Sequence, residues 1–450
     1  MSITRRVIRA GDSTRTGIMG LTQLGRKFTC TTSGTTTTII AGRDSANKAT
    51  ANLATYGENF EEGCPVRMIP VASPGEGEES FVTKFDRTTG TLTVSPAFSL
   101  PGITIRTSDI SAEQGEVWHL PVRAVGDVDI AINEALTRFC HYWKLTPLSM
   151  LADSDCQANT GWSVSAGTKN TVLAPQAFTF PFKFGRYFLD WFATTANDYF
   201  YQAIPVSENR QWHVAVLMRT AAATTATVTI RDLANSANIT TSGDTLSVTG
   251  LQSSGSDWQF LKASFTVPDN CDRVEIRINN NTTSGRTYVA MAAMWPNDTS
   301  RLPLPTRVSG EAQVGQVFRV TERLDIDSPE SWTRNPYPHA VPTHDSYLGV
   351  AVRFDRTVGS DLFLCEEQAF YDALTTDATA ATNTTDCPDD YVTYAAAWRL
   401  LHNIAQRMRT ERGDKEAASW LARTAELKRD ADRVAKRFVR PRRIVTRLMR

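Results

Sequence analysis

The 450-residue chain has no CxxC pair, and its six histidines form neither HxxxH nor HExxH. Its seven cysteines (Cys30, Cys64, Cys140, Cys156, Cys271, Cys365 and Cys387) are scattered and odd in number. That pattern argues against a zinc site or a disulfide framework, and the thiols are expected as small buried hydrophobes. No apolar run approaches the roughly 20 residues that cross a bilayer. The arginines of MSITRRVIRAGDSTRTG are not followed by an apolar segment, so a secretory signal is not expected and the chain should fold in a cytoplasm. Catalytic signatures are also missing. PGEGEES (Pro74–Ser80) has the glycines of a phosphate loop but three glutamates in place of its lysine, and reads as a solvated turn. There is no GxSxG elbow. The acid pairs Asp389/Asp390 and Glu366/Glu367 read as helix caps or solvated faces. A non-enzymatic protein without metal or cofactor is the expectation.

What is present is mostly β punctuation. Hydrophobic content of 41% and charged content of 21% are ordinary for folded domains, and the length calls for two to four of them. Residues 1–120 are rich in Thr, Gly, Val and Pro. A hairpin is predicted from Ser80–Phe85 through Gly90 to Thr91–Ser95, in a small β-barrel or sandwich. An amphipathic helix opens at Gly126-Asp127 and carries Ile132, Leu136, Phe139 and Trp143 at helical spacing until Pro147. Residues 156–300 read as an independent β-sandwich, with strands near 186–192, 199–206, 211–219, 226–233, 258–267, 273–279 and 286–295. Its aromatics Trp162, Tyr201 and Trp258 are candidates for a glycan-stacking surface, although most such rings belong to the core. A smaller β region and a polar linker follow over 301–385.

Helices return at 386–438. One stripe holds Trp398 and Leu401, a second Trp420 and Leu427, separated by a Gly413-Asp414 break. This reads either as a hairpin that buries its own seam or as a seam shared with neighbouring subunits. Residues 439–450 are a basic arm. From Ala396 to Arg450 there are 16 Lys/Arg against 6 Asp/Glu, an excess of 10. The chain totals are 48 and 48, so the preceding residues carry a deficit of the same size. Arg437, Arg440, Arg442, Arg443, Arg447 and Arg450 would suit phosphates in a salt-sensitive way. Phe438, Ile444 and Leu448 interleave with them and favour docking into a protein groove. A sustained apolar face for a membrane surface is missing.

Three stretches resemble tailed-phage proteins. Residues 31–105, with GTTTTII, FEEGCPVRMIPVASPGEGEESFVTKF and FDRTTGTLTVSPAFS, look like a β domain found in virion proteins. DVDIAINEALTRF (Asp127–Phe139) resembles the VxxAINxAL helix of head–tail connectors, and CPDDYVTYAAAWRLLHNIA through KRFVRPRR is similar to their helical ending. The resemblance implies a multidomain α+β chain with an N-terminal β domain (1–120), a connector core split between 121–150 and 386–438, and an inserted jelly roll. It also implies a homo-oligomeric ring, usually twelve-fold, at the virion neck after assembly in the host cytoplasm. Its partners would be the portal protein, bound through the arm, the next neck or tail component, and DNA passing through the channel. Residues 156–300 separately resemble jelly-roll carbohydrate-binding modules, in DYFYQAIPVSENRQWHVAVLMRT and SDWQFLKASFTVPDNCDRVEIRI. YVAMAAMW (Tyr288–Trp295) has alanines where those modules often place an acid in YxDxxxL, which puts calcium in doubt. The alternative function is a virion adhesin or decoration that binds host glycans.

Overall fold

The computed structural model describes residues 3–11, 16–30, 37–42, 59–70, 78–98, 113–158, 161–173, 187–221, 224–249, 258–281, 285–304, 314–320, 337–375 and 384–438. Those residues form two compact units. One joins the chain up to Tyr142 with the segment from Phe370 onward; the other is Trp143–Ala369. The arm residues 439–450, including Arg440, Arg442, Arg443, Ile444, Arg447, Leu448 and Arg450, lie outside the described residues.

The first unit contains a closed six-stranded barrel in the order Gly25–Cys30, Thr38–Gly42, Thr91–Ser95, Glu78–Asp86, Pro65–Pro70 and Glu113–Trp118. Phe28, Val66, Met68, Val82, Leu92, Val94 and Val117 fill it. At Gly115 an added Cβ would sit 2.3 Å from Phe28 Cζ, so a side chain there would compete with the ring for the barrel interior. Beside the barrel lie α1 (Arg5–Ala10), α2 (Ile18–Thr22), α3 (Val125–Glu134), α4 (Asp389–Arg412) and α5 (Asp414–Phe438). Asp389 and Asp390 occupy the first turn of α4 and Arg409 and Arg412 its last, which complements the helix dipole. Gly413, at φ +90°, ends α4 in a backbone region that disfavours side chains. The short strand Ile3–Thr4 pairs with Thr384–Thr385, tying the N-terminal segment to the chain that leads into α4.

A buried charge network holds α1, the barrel and α3 together. Arg9, with no exposed surface, donates to Glu116 through Nε (2.8 Å) and Nη2 (3.1 Å) and to Asp129 Oδ1 through Nη1 (2.6 Å). Arg67 donates to Asp129 Oδ2 (2.8 Å) and Glu79 (3.3 Å), and Glu79 accepts from the Val125 amide at the start of α3. With Arg5 Nε 3.4 Å from Asp129, three guanidinium groups meet three carboxylates. Pairing each guanidinium with a carboxylate is what makes buried charge tolerable.

The second unit is layered. One six-stranded sheet runs Thr168–Leu173, Tyr187–Phe192, Arg286–Pro296, Gln211–Thr220, Gln259–Thr266, Ser242–Gly243. The facing sheet runs Ala237–Ile239, Thr225–Asp232, Arg273–Asn280, Tyr199–Pro205, Ser163–Val164, with Ser247–Thr249 also pairing to Thr225–Asp232. From residue 199 the long strands alternate between the two sheets, the crossing pattern of a jelly roll. Phe200, Trp212, Val214, Val216, Ile276 and Ile278 pack between the sheets. The opposite face of the six-stranded sheet, with Phe188, Leu217, Phe260 and Trp295, is buried against Leu302, Phe318, Val352 and Phe363. Those residues belong to two three-stranded sheets, one of Arg301–Pro303, Gly349–Arg353 and Val341–Asp345 and one of Val314–Val320, Leu362–Phe370 and His141–Pro147. Arg286–Pro296 is therefore buried along almost its whole length, which accounts for its continuous apolar run. Ala290, at the position where carbohydrate-binding modules often carry an acid, packs in this second cluster.

Two expectations need correction. The helix opened at 125 does not reach Pro147: a π turn over Ala135–Phe139, closed by the Cys140 amide on Ala135 O (2.7 Å), ends it, and His141–Pro147 is a strand. Trp143 thus leaves the helical stripe. Aromatic and β-branched residues in HYWKLTP suit a pleated, half-buried surface. Glu366 and Glu367 are not a solvated face; both are buried. Lys144 Nζ lies 2.5 Å from Glu367 and also pairs with Asp155, and the Thr146 hydroxyl donates to Glu367 (2.9 Å).

Candidate functional site

The helical residues singled out from sequence fall into two groups. Ile132, Leu136, Leu401 and Leu427 are buried together in the core of the first unit, so they pack the chain on itself. Phe139, Trp398 and Trp420 are half-buried at its margin. Phe139 meets Trp398 edge-on at 4.8 Å; Arg399 lies over both rings while its guanidinium binds Glu134 (2.8 Å). Lys428 of α5 sits over the Trp398 ring at 5.4 Å. Arg437 and Phe438 close α5.

The three glycan candidates do not share a surface. Trp162 and Trp258 are each 4% exposed. Trp162 packs edge-on against Phe200 between the sheets (5.3 Å). Tyr201 is half-buried on the outer face of the second sheet of the sandwich, 5.5 Å from Tyr199. Trp162 therefore cannot present a stacking face, because its ring fills the sandwich core.

Trp258 belongs to a different constellation, on the covered face of the six-stranded sheet. Three adjacent strands place Asp190, Tyr288 and Arg219 directly opposite one another in one row. Phe188 lies beside that row, its ring 5.7 Å from both Trp258 and Tyr288. Arg286, two residues before Tyr288 on the same strand and so on the same face, donates to Asp190 Oδ2 (2.9 Å). The Arg286 side chain is 51% exposed, so the row opens to solvent at that end. Asp190 Oδ1 is buried without a hydrogen-bond partner among the described residues. Burial raises the Asp190 carboxyl above its ordinary range, against the pull of Arg286. Burial also raises the Tyr288 hydroxyl, helped by the nearby Asp190 charge. Two guanidinium groups, a carboxylate and three aromatic rings thus form a largely buried polar-aromatic cluster, with Arg286 as its solvent-exposed member.

Asp190, Arg219, Arg286, Tyr288 and Phe188 were not singled out from sequence. Their only signal was alternation within strands, and the strand register that aligns them is fixed by long-range pairing. Among the described residues no group of His, Cys, Asp and Glu has the arrangement of a metal site. The six cysteines whose burial is described are free and buried.

No protein-family model matches the chain, and no curated protein matches it. Solved structures similar to it include the enzymatically active domain of tailspike protein 4 of bacteriophage CBA120, at 16% identity and TM-score 0.24 over 33% of this chain. The chain covers only 21% of that structure, about a fifth of its length. A family 16 carbohydrate-binding module is similar over 33% of this chain and 99% of its own, at 14% identity and TM-score 0.25. The C-terminal family 22 carbohydrate-binding module of a Clostridium thermocellum protein is similar over 33% of this chain and 94% of its own (13% identity, TM-score 0.26). With TM-scores this low, nothing about ligand or assembly follows from the likeness.

Proposed function

We propose that the chain is a non-enzymatic virion protein of a tailed phage, a head-to-tail adaptor that forms a ring on the portal and joins it to the next neck or tail component. The observation that most supports this is a single barrel-and-helix unit built from both ends of the chain, with the β-rich unit inserted between Tyr142 and Phe370. Within it, the two stretches that resemble connector helices, 127–139 and 388–438, share one hydrophobic core. α5 runs directly into the basic arm, which would dock in the portal. DNA would pass through the ring.

Negative-stain images of the purified protein are expected to show rings with a central channel; monomers or trimers would count against the reading. A variant ending at Ala435 is expected to lose portal affinity. Unchanged affinity would remove the arm from the contact.

The glycan-binding alternative is favoured by one observation, the row of Asp190, Tyr288 and Arg219 with Trp258 and Phe188 beside it and Arg286 at its open end. In that reading the protein decorates the virion and binds host sugars there. Binding of the full chain to a glycan array, lost in Arg286→Ala, is the expected result. No binding to any sugar on the array would dismiss it.

A further inference from the structure

The buried stripe of α5, with Ala417, Thr424, Leu427, Ala431 and Val434, faces the unit's own core. On the opposite side Ala418, Ala422, Ala425, Arg429, Arg433 and Lys436 follow at steps of three and four, all exposed. Leu421, 38% exposed, flanks the alanines. The first half of this ridge is therefore smooth and apolar, and the second half is cationic. From Lys428 to Arg437 there are five basic residues against two acidic ones. One of the two, Asp430, already pairs with Arg433 (3.0 Å), and Lys428 is engaged over Trp398. Arg429, Lys436 and Arg437 have no ion-pair partner among the described residues.

We propose that this ridge is a docking surface for an acidic helical segment of a partner protein, continuous with the basic arm that follows it. The proposal rests on the adaptor reading and adds a second contact to it, with the partner's chemistry defined. Charge complementarity selects the occupant: three unpaired cations on one helix face ask for carboxylates at helical spacing. The alanines select a helix over a nucleic acid. Side chains this short let a second helix approach to about 8–10 Å between axes, whereas phosphates gain nothing from Ala418, Ala422 or Leu421.

The test uses the full chain and two probes, an amphipathic helical peptide with an alanine-leucine stripe flanked by glutamates, and a short DNA duplex. Arg429→Gln with Lys436→Gln is expected to weaken peptide binding about three- to tenfold. Both positions are exposed, so folding should be unaffected, which circular dichroism checks. Ala422→Arg adds charge but obstructs close approach, and is expected to weaken peptide binding too. The proposal is overturned if the double substitution leaves peptide affinity unchanged, or if Ala422→Arg tightens the peptide. Equal losses for duplex and peptide in the double variant, with tighter duplex binding by Ala422→Arg, would overturn it in favour of DNA. Rings in negative stain with unaltered peptide binding would remove the ridge and leave the adaptor reading standing. Ridge-dependent peptide binding without rings would do the reverse.

Discussion

Replacing Arg9 by alanine should be among the most damaging single changes in the first unit. The guanidinium is fully buried and supplies three hydrogen bonds to two carboxylates. Asp129 would keep Arg67 at 2.8 Å, but Glu116 would lose both of its bonds from Arg9 and stay buried with its charge. Stranding one member of a buried ion pair costs about 3–5 kcal/mol, a large part of the ~5–15 kcal/mol that holds a typical domain together. Because the chain has two units, a single global unfolding curve is a poor measure. Hydrogen exchange read by mass spectrometry is better, since it reports α3 and the strand Glu113–Trp118 directly. The expected outcome is faster exchange there, by roughly a hundred- to several-thousandfold. A companion, Arg9→Met with Glu116→Gln, removes the stranded charge along with its partner and should recover part of the loss. An acceleration below tenfold in Arg9→Ala, or no recovery in the double variant, would refute the idea that this network clamps α1 and α3 to the barrel.

Trp258→Ala and Trp162→Ala should each lower the stability of the second unit by about 3–5 kcal/mol, as core truncations do; a melting temperature equal to the parent's would show that the ring is not packed. Asp190 tests the sign of its own titration. Burial raises its carboxyl, so its contribution to stability is present at acid pH and is lost as pH rises through the folded-state value. Asp190→Asn should therefore gain on the parent between acid and neutral pH in denaturation experiments, and the opposite trend would mean that the Arg286 pairing outweighs desolvation. Gly167 sits at φ +90°, and an added Cβ would lie 2.2 Å from the Phe192 carbonyl oxygen. Gly167→Ala should cost at least ~1–2 kcal/mol from the backbone region alone, and unchanged thermal unfolding would be inconsistent with that turn.

Local sequence signals match the observed elements where one period dominates. Strands Tyr187–Phe192, Tyr199–Pro205, Gln211–Thr220, Thr225–Asp232, Gln259–Thr266, Arg273–Asn280 and Arg286–Pro296 lie within two residues of their expected spans. Aromatic and β-branched alternation was strong in each, and Gly413 marked the helix break. Three kinds of element were missed for physical reasons. The helices Arg5–Ala10 and Ile18–Thr22 are too short to display a period. His141–Pro147 continued the apolar spacing of α3 closely enough to pass for helix, because a π turn shifts the phase without breaking the pattern. The strand Val341–Asp345 holds a proline and a polar end, and Leu362–Phe370 carries two glutamates whose burial depends on partners distant in the chain. Glu367 is the clearest case: Lys144 and Thr146, more than two hundred residues earlier, make its burial tolerable. The row at Asp190 was illegible for the same reason, since no local feature sets Asp190 opposite Tyr288.

Burial on both faces of the six-stranded sheet bears on which of the two functional readings is the better one. A sheet that offers its face to a sugar keeps aromatic rings at the surface. Here Trp258, Phe188 and Tyr288 are covered, and Leu217, Phe260 and Trp295 of that face are packed against Leu302, Phe318, Val352 and Phe363. A long glycan lying across the sheet would have to displace that layer, at a cost that burial of so many apolar groups makes prohibitive. Among the described residues of this row Arg286 is the exposed one, with Asp190 behind it, so a sugar would meet the row there first. On the outer face of the second sheet the described residues of Tyr199–Pro205 are mostly half-buried, and Arg277 covers Tyr199 at 4.2 Å. A sandwich closed on one side by its own chain is better suited to a rigid spacer than to a broad sugar-binding platform. The covered face therefore weighs against a long glycan lying across the six-stranded sheet.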